Sequence, residues 1–163
     1  HMEPEAIIYI FLIGILATIA MDVWQFLLYA LVKIPRPDWA ALGRWVLGMS
    51  DLGLVQLSLT SLPKRNNEAF LGWCLHYLVG ISYAAFYVYM LSMLHFSALG
   101  LALGLAVLSL LIPWCIVMPC TGYGFFASAA PKPMLVRIYN LMTHLLFFFA
   151  LFLAARFFLP GLF

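Results

Sequence analysis

Leu71-Gly72-Trp73-Cys74-Leu75-His76-Tyr77-Leu78-Val79-Gly80 is the stretch whose reading decides the fold. It opens an apolar segment running from Ala69 to Met93, longer than the roughly 20 residues a helix needs to cross about 30 Å of hydrocarbon. Such a segment reads as a membrane span. It also puts a histidine, His76, about two turns inside. Three further segments read the same way: Ala6–Val32, Ala98–Met118 and Leu135–Leu159. Water is absent at that depth, so each backbone must satisfy itself as a helix. The expected fold is all-α, an integral membrane four-helix bundle forming one domain over residues 1–163.

Composition agrees with this reading. The chain is 66% hydrophobic and 9% charged, whereas soluble domains carry about 25% charged residues. Cys74, Cys115 and Cys120 lie in or beside apolar segments, which argues against a secreted disulfide framework. His1-Met2 reads as a cloning remnant and is set aside. The first segment is too long for a signal-peptide core and reads as a retained span.

Lys33, Arg36, Arg44, Lys64 and Arg65 fall in or beside the first loop, Lys132 and Arg137 flank the third, and Arg156 alone lies toward the other side. The opposite face holds Glu3, Glu5 and a short turn around His95. The positive-inside rule then places both longer loops in the cytoplasm and both termini outside.

In the first loop, Pro35 and Pro37 stop the first helix. Asp38 is placed to cap a new one. Trp39, Leu42, Val46 and Met49 recur at helical spacing with Arg44 opposite. This predicts a short amphipathic interfacial helix over about 38–48, anchored by Trp39 and Trp45 and ended by Gly48 and Ser50-Asp51. Leu52–Leu62 is apolar but too short to span, so it is expected at the interface or as a re-entrant piece. Gly100 and Gly104 form a small-xxx-small pattern expected to serve packing. Pro113 is expected to kink the third span.

Three ionisable groups reach comparable depth. At 1.5 Å per residue, His76 lies about 10 Å, His144 about 13 Å and Asp22 about 16 Å from the cytoplasmic boundary. Each sits on a polar or small stripe, since residues three and four apart share a helix face. The stripes are Thr18, Asp22, Gln25 and Tyr29; Trp73, His76, Tyr77, Gly80 and Ala84; and Arg137, Asn140, His144 and Phe147. A charged Asp at the bilayer centre costs about 2.5–3.5 kcal/mol on insertion scales. The candidate central polar site is therefore Asp22, His76, His144, Gln25, Tyr77 and Asn140.

Several readings share these residues. One is a carrier or channel for a proton, metal ion or small solute. A second is a membrane-embedded metal or haem enzyme: Asp22, His76 and His144 form a two-His, one-carboxylate ligand set, or His76 and His144 hold a haem b, with room left by Gly80 and propionates on Arg137. Soft ligands from Cys115, Met118 and Cys120 are a weaker option. The third is a structural or regulatory subunit in which the polar layer only fixes helix register. Ser82 and Ser109 have no nucleophile-elbow setting, and no nucleotide-binding motif is present. The bilayer is the expected partner, a homo-oligomer is open because four helices make a thin wall, and no nucleic acid is expected.

Met21-Asp22-x-Trp24, Gly43-Arg44-Trp45, Leu71-Gly72-Trp73-x-x-His76-Tyr77, the Pro-rich approach to the fourth span and Thr143-His144-Leu145 together resemble a family of small bacterial inner-membrane proteins known only as a domain of unknown function. The resemblance covers nearly the whole chain. It implies a bacterial inner-membrane origin and a four-helix architecture, and it carries no activity.

Overall fold

The computed structural model describes residues 4–94 and 96–163. His95, like His1-Met2 and Glu3, falls outside the described residues. The protein is 79% helical, and no strand occurs among the described residues. Its elements are α1 (Pro4–Val32), α2 (Trp39–Leu52), α3 (Glu68–Met93), α4 (Ala98–Ser109), a π-helical stretch at Pro113–Val117, a single turn α5 (Met118–Cys120), and α6 (Pro133–Phe158). Among the described residues four helices are long and apolar enough to cross a membrane: Glu5–Val32, Glu68–Met93, Ala98–Cys120 and Pro133–Phe158. They match the spans read from sequence, with α6 starting two residues before the expected Leu135. Pro113 lacks the N–H that α4 would need to continue, and the chain passes there into the wider π-helix.

The chain forms two compact units. The first consists of the chain up to Arg36, Tyr77–Leu108 and Met142–Phe163, so all four spans contribute to it. Its core is built from small residues that let helices approach, with a few rings between them. Ile13, Ala17, Ala84, Tyr87, Ala102, Ala106, Phe148, Leu151 and Ala155 are fully buried there. Tyr87 satisfies its hydroxyl by donating to the Ala98 carbonyl at 3.0 Å. At Gly80 a Cβ would run into Thr18 Oγ1, so α1 and α3 meet in close contact at this level. The space expected beside Gly80 for a cofactor ring is thus filled by Thr18.

Outward faces remain apolar, with Ile8, Phe11, Val79 and Leu108 about half exposed or more. That suits lipid tails, which are as apolar as the side chains. Gly100 and Gly104 also face outward: nothing lies within 4 Å of a Cβ built on Gly104. The packed face of α4 is instead Ala102, Ala106 and Ser109. The small-xxx-small reading therefore misidentified the face. Ala fills the helix contact; Gly104 meets nothing, and Gly100 lies close only to the Ser97 hydroxyl at the start of the same helix.

The second unit comprises Pro37–His76 and Ser109–Leu141. Asp38 caps α2 as expected, accepting from Ala41 N at 3.2 Å. The helix runs four residues past Gly48 and ends at Gly53, whose φ of +75° provides the left-handed stop. Gly48 lies inside because the Gln56 side chain occupies the space a Cβ would need. α2 crosses the start of α3 at Gly43 and Gly72, where any Cβ would collide with the backbone carbonyls of Glu68 and Trp39.

The buried face of α2 is Gly43, Arg44, Trp45 and Gly48, not the stripe of Trp39, Leu42, Val46 and Met49. Trp45 is 6% exposed and donates its indole N–H to the Leu54 carbonyl at 2.8 Å, so it is held within the protein and is no membrane anchor. Leu52–Leu62 is irregular apart from one 3-10 turn at Leu59–Ser61. Gln56 fixes it in place. Its amide donates to the Trp45 and Gly53 carbonyls at 2.9 Å, and its backbone N–H donates to Cys120 O at 2.6 Å.

Candidate functional site: polar groups in the spans

Asp22 lies in the middle of α1 and is half-buried. Tyr77, one residue after His76 on α3, donates its hydroxyl to Asp22 Oδ2 at 2.9 Å. This joins two spans through a carboxyl at membrane depth, where polar side chains need an internal partner. Thr18 and Gln25 extend the same face of α1 and are buried at 0% and 4% exposure. Thr18 turns its hydroxyl back to the Gly14 carbonyl at 2.8 Å. Tyr29, further along the stripe, is largely exposed.

Thr143 and His144 lie on α6 in the same unit. His144 is half-buried. Thr143 is 4% exposed, and its Oγ1 has no hydrogen-bond partner among the described residues. The indole N–H of Trp24 on α1 is likewise buried without a partner among them. An unmet buried polar group costs about 1–3 kcal/mol and calls for a reason. The first unit thus holds a satisfied carboxyl–phenol pair together with unspent hydrogen-bonding capacity.

His76 and Asn140 belong to the second unit. His76 is 5% exposed and stacks on Trp39, with ring centroids 3.8 Å apart and planes 20° from parallel. Trp73 closes the box edge-on at 5.7 Å. Trp39 opens α2, so the histidine of the second span is tied to the loop helix. Asn140 is half-buried, and its Nδ2 lacks a partner among the described residues. Arg137, considered for haem propionates, donates Nε to the Phe126 carbonyl at 2.7 Å. Among the described residues no group of three or more His, Cys, Asp and Glu side chains is arranged to hold a metal ion. The Asp22, His76 and His144 ligand set has no such geometric support. Among the described residues the three cysteines are free thiols.

Sequence reasoning missed the strongest polar contact in the second unit. Arg44, 6% exposed, grips Glu68 with two hydrogen bonds of 2.7 Å, from Nε and Nη2. Its Nη1 donates to the Leu59 carbonyl at 3.4 Å. The hydrogen bonds to Glu68 raise the Arg44 pKa above its ordinary value against the opposing effect of burial. The available signal was a lone acid at the start of a span and a lone arginine among apolar residues of the loop, both in need of a counter-charge.

A family model described as a protein of unknown function, DUF2938, matches residues 11–158. The chain belongs to the DUF2938 family. The family match takes in Asp22, Tyr77, His76, His144 and the Arg44–Glu68 pair, and its description names no activity. No curated protein and no solved structure matches the chain. The resemblance to a family of unknown function, read from short motifs, is met in that respect. Four apolar helices make this a membrane protein, associated with lipid through their outward faces.

Proposed function

We propose that this protein is a small multi-pass carrier or channel for a proton or small polar solute, with Asp22 as its central group and Tyr77, Gln25 and His144 around it. The observation that carries the reading is the hydrogen bond from Tyr77 to Asp22 within the spans. An ionisable residue there is costly and is by default functional. The Thr143 hydroxyl, without a hydrogen-bond partner among the described residues, supports it, because a passing polar species would find a hydrogen-bonding site on α6. His76 adds a link to α2 through its stack on Trp39, with Asn140 as a further polar group of the second unit. The same reading takes the membrane to be a bacterial inner one, as the motif resemblance implies, and puts both termini outside, since seven of the eight Lys and Arg lie in or beside two loops.

Purified protein in liposomes tests this. A pyranine readout of proton flux, with a panel of small solutes run in parallel, is expected to exceed that of protein-free liposomes. Asp22→Asn is expected to lower flux by about a hundredfold or more, the scale of removing one proton-handling group. Unchanged flux in Asp22→Asn, with a lowered melting temperature, would instead assign the polar layer to helix register. Crosslinking of reconstituted copies tests whether the working form is a homo-oligomer.

A further inference from the structure

A second feature lies in the first unit, where α3 ends, α4 begins and α6 closes. A cavity of about 610 Å³ opens there, within the roughly 300–1,000 Å³ range of small-molecule sites. Its walls include Leu91, Phe96, Leu99, Phe152 and Phe163, and among the described residues its one charged lining side chain is Arg156. The chain turns back after α6 through a 3-10 turn at Pro160–Leu162. This brings Phe163 edge-on to Phe152 at 5.8 Å and under the Arg156 guanidinium at 5.7 Å.

Arg156 is exposed and belongs to the last turn of its span. Among the described residues the ion pairs are Arg44–Glu68 and Arg65–Asp51, so the guanidinium has no carboxylate partner there. A span end is where lipid headgroups sit and where long cationic side chains reach the interface. A guanidinium offers a planar fork of donors that fits phosphate oxygens. The rest of the lining is mostly apolar, suited to a chain and poorly suited to a free hydrated anion.

We propose that this cavity is a binding site for one anionic phospholipid, with its phosphate on Arg156 and an acyl chain along Leu91, Leu99 and Phe152. The site lies apart from the Asp22–Tyr77 pair and does not rest on the transport reading.

The test is native mass spectrometry of the detergent-purified protein after exposure to mixed phosphatidylglycerol and phosphatidylcholine. Phosphatidylglycerol adducts are expected to exceed phosphatidylcholine adducts by about fivefold, the scale of one interfacial arginine acting on an anionic lipid. Arg156→Gln should bring the two lipids to parity, and Arg156→Lys should restore part of the preference. Leu99→Trp, which narrows the cavity and leaves the charge, should reduce both adducts. Equal retention of the two lipids by the parent, or an unchanged preference in Arg156→Gln, would overturn the proposal. So would full displacement of phosphatidylglycerol by millimolar inorganic phosphate, which would make this a free-anion site.

Discussion

Glu68 holds three donors at once: Arg44 Nε, Arg44 Nη2 and the Arg65 backbone N–H, the last at 2.8 Å. Both partners of the ion pair are under 10% exposed as side chains. Removing one charge from a buried pair strands the other, which is strongly destabilising. Asp51 and Arg65 form the contrasting case, an ion pair at 2.5 Å with 53% of the Asp51 side chain in solvent. Exposed pairs contribute little. Glu68→Gln is therefore expected to lower the melting temperature in detergent far more than Asp51→Asn, and an equal effect would contradict the burial argument. Asp51 contributes to the acid limb in its own right. The Arg65 hydrogen bond holds its carboxyl below the usual range. Its contribution is fully present above the unfolded carboxyl value of about 3.9 and fades as pH falls through the lowered folded value. The parent–Asp51→Asn difference in melting temperature should thus be constant near neutrality and shrink only below about pH 4.

At the scale of elements, the crossing of α2 over α3 depends on two missing side chains. A Cβ on Gly72 would occupy the position of the Trp39 carbonyl. Gly72→Ala should therefore separate the helices and cost at least about 1–3 kcal/mol, as overpacking does. Gly104→Ala, which meets nothing within 4 Å, should be neutral or slightly stabilising. Thermal unfolding of the two variants side by side checks this, and a harmless Gly72→Ala would undo the account of how α2 docks. The four spans, the Asp38 cap and the Pro113 break were legible because length, hydropathy, capping and the missing proline N–H act locally. The docked face of α2 was not. Its apolar stripe pointed one way, but the buried side is set by Arg44 finding Glu68 and by Gly43 finding Gly72, pairings far apart in sequence. The same holds within the spans. Depth arithmetic picked out Asp22 and His76, yet Tyr77 bonding Asp22 and Trp39 covering His76 depend on helix rotation, which hydropathy does not encode.

At the scale of the whole molecule, charge distribution fixes the expected orientation. Cysteines introduced at Asn66 in the first loop and Phe163 at the C-terminus, in a background lacking the native three, should label from opposite sides of the membrane with an impermeant maleimide. In intact cells only Phe163 should label; labelling of Asn66 alone would reverse the topology, and labelling of both from one side would contradict the three spans between them. The central claim is that Asp22 and Tyr77 work as one group and do more than lock two spans together. A double-mutant cycle of Asp22→Asn and Tyr77→Phe, read as flux in liposomes and as melting temperature on the same preparations, addresses it most directly. The account predicts that Asp22→Asn and the double variant lose flux equally, because Tyr77 acts through the carboxyl, while both stay folded. Parent-level flux in all three variants, with the losses confined to melting temperature, would contradict it.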